Sequence, residues 1–242
     1  MVAMTLGLAM AGATAVKAQD KLEAHAKADF VSSYIWRGAD QGHGFAVQPS
    51  LTLGWQGFTL NAWGSTPMSD FAEKNTPKEF DINLGYAIGG LSLTVTDYWW
   101  GGKQNPYGWY GSTGYDNDVN NGHHFEGTVA YNFGEKVPLT LSWSTWFAGA
   151  DAVNKDGDRL YSTYISAAYN ISLPADVTLT PAIGFTPWKG YYHEKAGVTD
   201  ISLKASKDVK VTENFSIPVF VQAIASPVYD KTNVVAGFSL GF

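Results

Sequence analysis

Apolar and polar residues alternate most regularly between Phe45 and Gln56. Every second residue, from Phe45 through Leu51 to Trp55, is apolar, and the residues between them are small or polar. A period of two is the period of a β-strand, because successive side chains point to opposite faces of the sheet. The segment is therefore predicted to be a strand with one apolar and one polar face.

The same alternation recurs along the chain and predicts twelve strands. They are expected at 26–37, 45–56, 58–66, 79–88, 91–100, 123–133, 139–149, 159–171, 177–188, 198–207, 214–225 and 232–242. Their polar faces carry Ser, Thr, Asn, Gly and Ala rather than the Lys and Glu expected on the solvent face of a soluble sandwich. Small polar residues are typical of a barrel lumen, and bacterial single-chain barrels have an even number of strands.

The connections between these strands alternate in length. Gln56-Gly57, Gly89-Gly90 and the connections at 134–138, 172–176 and 208–213 are short, whereas those at 37–44, 66–78, 101–122, 150–158, 189–197 and 226–231 are mostly longer. Strict alternation is expected of an up-and-down barrel and not of a Greek-key sandwich. The predicted fold class is all-β, a transmembrane up-and-down antiparallel β-barrel of twelve strands.

The two ends of the chain fit an exported barrel. Residues 1–15 are apolar and small, and Val16-Lys17-Ala18 matches a cleavage site, so 1–18 is predicted to be a removed signal peptide and 19–242 a single outer-membrane barrel domain. Lys17 is the only charge before Asp20, which leaves open a start farther upstream. At the other end, the alternating last strand is interpreted as an assembly signal formed by Phe238, Leu240 and Phe242.

Composition excludes some partners. The chain has 22 acidic and 16 basic residues and no Cys, and it has no basic stripe for nucleic acid. After Ala18 no run approaches the roughly 18 apolar residues of a membrane helix. A secreted, soluble carbohydrate-binding sandwich is compatible with the composition and is the alternative outside the membrane.

Strand parity places six charged residues toward the lumen. These candidate pore-lining residues are Asp29, Arg37, Asp81, Glu126, Asp200 and Lys204. In a porin they would set charge selectivity, and in a narrow barrel they would pair and partly close the lumen. Both outcomes stay open, because a twelve-stranded barrel is wider than the filled eight-stranded kind and narrower than a sixteen-stranded porin. Asp97 falls on the lipid face, which predicts a bulge or a headgroup-level position there.

Aromatic residues predict two girdles at the membrane interfaces. The outer girdle is assigned to Trp36, Trp63, Trp99, Trp100, Trp146 and Trp188, and the inner one to Trp55, Tyr131, Phe133, Tyr169 and Phe242.

Candidate chemistry is sparse. His123 and His124 are adjacent in a strand and point to opposite faces, which argues against a joint metal site. His124 and Glu126 share the lumen face, but there is no G-x-S-x-G motif, so a barrel enzyme is a minor alternative. Residues 116–122 resemble a calcium loop only in part. No catalytic residue, metal or cofactor is predicted.

The segment Asp29-Phe30-Val31-Ser32-Ser33-Tyr34-Ile35-Trp36-Arg37-Gly38, followed by Gln41 and Val47-Gln48-Pro49, resembles the opening hairpin of the TorF family of outer-membrane porins. The resemblance implies a barrel in the outer membrane of a Gram-negative cell and a pore function, without a known substrate or catalytic residue.

The expected function is passive diffusion of small hydrophilic solutes or ions, and the expected partners are outer-membrane lipid, the barrel assembly machinery and those solutes. The alternative is a barrel with a plugged lumen that serves a structural or partner-binding role. The oligomeric state is left open.

Overall fold

The computed structural model describes residues 21–42, 44–68, 78–101 and 122–241. The predicted signal peptide, residues 116–121 of the partial calcium loop and the terminal Phe242 lie outside the described residues.

Twelve strands, numbered here β1 to β12, form the wall of the molecule. Their bounds are β1 Glu23–Val31, β2 Ala46–Trp55, β3 Phe58–Pro67, β4 Lys78–Ile88, β5 Leu91–Gly101, β6 His123–Asn132, β7 Leu139–Gly149, β8 Thr163–Tyr169 continued by Ile171–Leu173, β9 Val177–Thr186, β10 Gly197–Thr212, β11 Phe215–Ser226 and β12 Lys231–Gly241. Each strand pairs antiparallel with the next along the chain.

The sheet closes on itself through β1 and β12. Lys27 lies opposite Gly241 and Val31 opposite Gly237 in this pairing, which we call the seam. Closure satisfies the backbone groups of both terminal strands and leaves no open sheet edge in lipid. The prediction of a closed, twelve-stranded up-and-down antiparallel barrel is confirmed. Its loop end carries the longer connections, and its turn end carries the short ones.

The outer surface of the barrel is apolar. Leu51, Leu84, Leu141, Ile183 and Leu203 are all exposed on it, and each points away from the lumen. Large apolar side chains exposed on every side of a closed sheet need a lipid environment. At the turn end the predicted aromatic residues are also exposed, namely Trp55, Tyr131, Phe133 and Tyr169.

Three strand boundaries differ from the predicted ones by four residues or more. β1 ends at Val31 instead of residue 37, and β8 begins at Thr163 instead of 159. β10 continues to Thr212, because Asp208 and Lys210 keep their pairing with β11. The sequence predicted a short connection at 208–213, but beyond the lipid a charged residue does not disturb a strand. In the described part of the chain, no helix is long and apolar enough to cross a membrane.

Deleting Phe242 should sharply reduce the folded, heat-modifiable band in outer membranes. The preceding residues of its strand lie at the seam, where the ring of Phe238 stacks on Phe30 with centroids 4.8 Å apart. If the terminal aromatic residue is part of an assembly signal, Phe242→Tyr should assemble normally. Equal band intensity for the deletion and the wild type would contradict our interpretation of the last strand.

Candidate functional site

The segment after β1 folds into the lumen instead of extending the wall. This inner segment, residues 32–42, contains a small hairpin in which Ile35–Trp36 pairs with Ala39–Asp40. Its two turn residues both have positive φ, 49° at Arg37 and 83° at Gly38, which is the pattern of a type I′ turn. Gly38 is required for space as well, because a Cβ there would collide with the backbone oxygen of Thr199.

Trp36 is the centre of an aromatic cluster inside the barrel. Its side chain is 2% exposed. Its ring centroid lies 5.6 Å from Tyr98, 5.5 Å from Trp100, 6.4 Å from Trp146 and 5.7 Å from Tyr192. These rings come from β5, β7 and the connection between β9 and β10. The cluster therefore fills the loop end of the lumen.

Arg37 forms a buried ion pair with Glu126 of β6. Its Nη1 and Nη2 donate to the two carboxylate oxygens at 2.6 and 2.8 Å, and the two side chains are 2% and 1% exposed. Nη1 also donates to the hydroxyl of Tyr192. The guanidinium carbon lies 4.6 Å from the ring centroid of Trp36 and 4.4 Å from that of Tyr164. A bidentate, stacked arginine in this environment is held in one geometry.

The inner segment is fastened to opposite walls of the barrel. It leaves β1, and Arg37 reaches β6, whereas the carbonyl of Gly38 accepts a 2.8 Å hydrogen bond from the hydroxyl of Ser226 in β11. In this conformation the segment closes the loop end of the lumen. The sequence left an open and a partly closed lumen as alternatives, and the structure has the partly closed one.

The turn end of the lumen is lined by short polar side chains that bond from strand to strand. The hydrogen-bonded pairs are Asn61 with Thr52 at 2.8 Å, Asn83 with Asn61 at 3.1 Å, Thr96 with Asn83 at 2.7 Å, Thr128 with Ser144 at 2.8 Å and Ser142 with Ser166 at 2.7 Å. A cavity of about 70 Å³ lies on the side of the seam, between the inner segment and the wall formed by β1, β2, β10, β11 and β12. Its polar lining includes Lys27, Asp29, Gln48, Lys204 and Gln222. A space lined by both polar and apolar side chains therefore remains between the inner segment and the seam.

The six residues predicted to line the pore all face the lumen, but only Arg37 and Glu126 come together in an ion pair with each other. Asp29 instead pairs with Lys27 at 2.8 Å, and Lys204 lies with Nζ 4.4 Å from the ring centroid of Phe220. By their positions within β1 and β10, Asp29, Lys27 and Lys204 lie near the middle of the barrel.

Asp200 and Asp81 lie closer to the loop end. Asp200 accepts hydrogen bonds from Tyr164 at 3.1 Å and from Thr199 at 2.9 Å. Gly184 makes this arrangement possible, because any side chain there would collide with Tyr164 and Asp200. Asp81 is completely buried.

Sequence reasoning missed two lumen charges, Glu79 and Lys27. Each lies two residues before an identified one, Asp81 and Asp29, so the period of two would have placed it on the same face. Glu79 lies at the predicted start of its strand and was not assigned a face.

The predicted outer aromatic girdle is wrong for four of its six members. Trp36, Trp63, Trp100 and Trp146 point into the lumen, where they pack on one another or on Tyr34. Parity predicts this for the strand residues, since Trp146 shares a face with Ser144. The position of an aromatic residue near a strand end does not outweigh its parity. Trp188 fits the prediction better, because it is exposed and packs beside Trp143.

Asp97 needs no bulge at its own position. Its pairing with the flanking strands is regular, opposite Ile82 and Phe125, and its carboxylate lies 2.9 Å from Nδ1 of His123. The register shift lies between Phe125 and Glu126 instead. Of the two alternatives predicted for Asp97, the bulge is therefore wrong and the headgroup-level position stays a prediction, and a histidine partner accommodates the carboxylate on the outer face.

The two residues considered for an enzyme, His124 and Glu126, each bond to other groups. His124 Nδ1 lies 3.0 Å from the carbonyl oxygen of Ala150 and its ring packs on Trp146, while both oxygens of Glu126 bind Arg37. The histidine belongs to the aromatic cluster, and the carboxylate belongs to the ion pair.

Comparison with known proteins gives likeness in structure alone. No family model matches the sequence, and no curated protein matches it. A solved structure of KdgM porin aligns with a TM-score of 0.50 at 10% sequence identity, covering 90% of this chain and 98% of that one. A structure of NanC porin aligns with a TM-score of 0.47 at 9% identity, with the same coverage. This chain therefore has the same kind of fold as KdgM porin, a barrel of porin type.

Proposed function

We propose that the chain is an outer-membrane porin that lets small hydrophilic solutes or ions diffuse passively across the outer membrane of a Gram-negative cell. The observation that carries the proposal is the lumen itself. A closed barrel with an apolar outer surface encloses a polar, partly open interior that contains charged side chains at its middle and its loop end. A barrel needed only as an anchor has no use for such a lining.

The rest of the proposal follows from this role. The chain would reach the outer membrane after removal of residues 1–18, and the barrel assembly machinery would insert it with its loop end outside. Membership of the TorF family is part of the proposal and rests on the segment from Asp29 to Pro49. We assign the chain no catalytic role.

The inner segment acts as the constriction of this pore. It blocks the loop end in the conformation described, so solutes pass only when the segment shifts. The buried pair of Arg37 and Glu126 also favours a second candidate, a permanently plugged barrel with a structural or partner-binding role.

Single-channel recording of the refolded protein separates the two candidates. A panel of salts and small neutral solutes should give measurable conductance with frequent closures if the inner segment moves. Complete absence of conductance from a correctly folded barrel would exclude the porin and favour the plugged barrel.

The open pore should prefer small cations. With Glu79 and Lys27 included, the acidic side chains named in the lumen outnumber the basic ones by five to three, and a fixed negative field in a confined channel attracts cations. Replacing Asp81 with Asn and Glu126 with Gln together should lower the cation preference in reversal-potential measurements, the more so because Arg37 then loses its counter-charge.

The matched control removes two negative charges outside the lumen. Asp156→Asn with Asp158→Asn, in the exposed connection between β7 and β8, should leave the reversal potential nearly unchanged. Anion preference in the wild type would mean that the lumen charges form a structural network and do not select ions.

A further inference from the structure

Two carboxylates of the wall carry buried oxygens that no hydrogen bond satisfies among the described residues. Glu79 and Asp81 lie two residues apart on β4 and face the lumen near its loop end, where Asp81 is 0% exposed. Both oxygens of Asp81 and Oε1 of Glu79 are buried without a hydrogen bond. Burying a charged carboxylate is costly unless another group compensates it. The pair therefore needs either a counter-charge or a proton to compensate it.

The hydroxyl of Tyr34 is directed at the same place. Tyr34 belongs to the inner segment and is 93% buried, since only 7% of it is exposed. Its hydroxyl is directed at Glu79 and Asp81, and it is buried without a hydrogen bond of normal geometry. Two carboxylates and one phenol thus converge from two different elements of the fold.

Aromatic side chains enclose this group of oxygens. Trp63 and Tyr98 are the residues directly opposite Asp81 on the two neighbouring strands, and Trp100 is opposite Glu79. The ring of Tyr34 packs edge-on against Trp63 with centroids 5.7 Å apart. Such walls exclude water and lower the local dielectric, so they strengthen the attraction for a cation that enters.

We propose that Glu79, Asp81 and Tyr34 form a binding site for a hard divalent cation, with Ca²⁺ as its representative. The atoms that these three side chains can offer to a metal ion are all oxygens, which hard cations prefer. The two carboxylates together balance the double positive charge of the ion. Ca²⁺ accepts irregular shells of 6–8 oxygens and takes the remainder from water, whereas Mg²⁺ demands a regular octahedron.

The site should be weak. No group of three or more acidic or histidine side chains that could hold a metal assembles within the described ranges, so the protein supplies only two charged ligands. Extracellular calcium modules with few charges have dissociation constants of about 0.1 to 1 mM, and this site should lie near the upper end. Because Tyr34 lies on the inner segment, a bound cation would also fasten that segment to β4.

Thermal unfolding in detergent tests the site without any need for conduction. The folded barrel is heated with about 10 mM CaCl₂, roughly ten times the expected dissociation constant, or with KCl at equal ionic strength, and the loss of its heat-modifiable band is followed. Ca²⁺ should raise the midpoint by about 3–5 °C, and Mg²⁺ should raise it less.

Two variants make the result specific. Glu79→Gln with Asp81→Asn should fold, because it removes two uncompensated buried charges, and it should lose the response to Ca²⁺. Asp29→Asn removes a lumen charge elsewhere and should keep the response. The proposal is overturned if the wild type does not respond, which would mean that protons neutralise the pair, or if the double variant responds as the wild type does.

This outcome is separate from the test of the porin. A barrel that binds Ca²⁺ and does not conduct would keep the site and lose the transport function. A barrel that conducts but shows no Ca²⁺ effect would do the reverse.

Discussion

Replacing Arg37 with Ala should raise the single-channel conductance several-fold. The guanidinium fastens the inner segment to β6 through two hydrogen bonds. Without it, the buried carboxylate of Glu126 has no counter-charge, and water that enters the lumen stabilises it. The segment should then leave the loop end of the lumen for a larger part of the time. Planar-bilayer recording gives the conductance and the open fraction directly.

Arg159 offers a matched control. It lies in the connection between β7 and β8 and pairs with Asp151 at 3.6 Å, so Arg159→Ala makes the same chemical change outside the aromatic cluster. Conductance should then stay at the wild-type value.

Combining Arg37→Ala with Glu126→Gln removes the buried charge and should restore stability while keeping the pore open. If the Arg37→Ala barrel folds correctly and its channel stays closed, the ion pair is not what holds the inner segment in place.

Placing Arg on the lipid face should cost about 2–4 kcal/mol of folding free energy near the middle of the membrane. Leu84 is the test position, because its side chain is 56% exposed on the outer surface of β4. Leu84→Arg should therefore refold poorly in liposomes, as measured by denaturant titration. Leu141→Arg and Ile183→Arg should behave in the same way.

The neighbouring residue Asn83 provides the comparison within one strand. It faces the lumen and loses only its hydrogen bonds to Asn61 and Thr96 when replaced. Asn83→Arg should cost clearly less than Leu84→Arg, since the new charge can reach water. Equal costs at the two positions would contradict the assignment of the outer surface to lipid.

The wall of the barrel was predictable because its information is local. A period of two in segments such as Phe45 to Gln56 determines which face each residue takes, and the alternating connections determine the order of pairing. The same parity identified Asp81 and Glu126 as lumen residues and would have placed Trp146 there. That tryptophan was misassigned because its chemistry was given more weight than its position.

The inner segment was not predictable in this way. Ile35, Trp36 and Arg37 continue the alternation of β1, so the pattern gives no reason to end the strand at Val31. What removes them from the wall is a set of contacts with residues far along the chain, such as Glu126 and Ser226. The local sign that the strand ends is the turn at Arg37-Gly38, in which both φ angles are positive. This turn does not determine the path of the segment unless its contact residues on the other strands are known.

The route of the inner segment links two events in folding. Eleven of the strand pairings join neighbours in sequence, whereas the seam joins Val31 to Gly237 across nearly the whole chain and must close late. The inner segment begins directly after that Val31, and its Gly38 is held by Ser226 of β11, the strand that precedes the seam strand β12. It would therefore act during folding as a tether that keeps β1 close to β12 before they pair. A substitution at Gly38 would then slow the closure of the barrel as well as alter the pore.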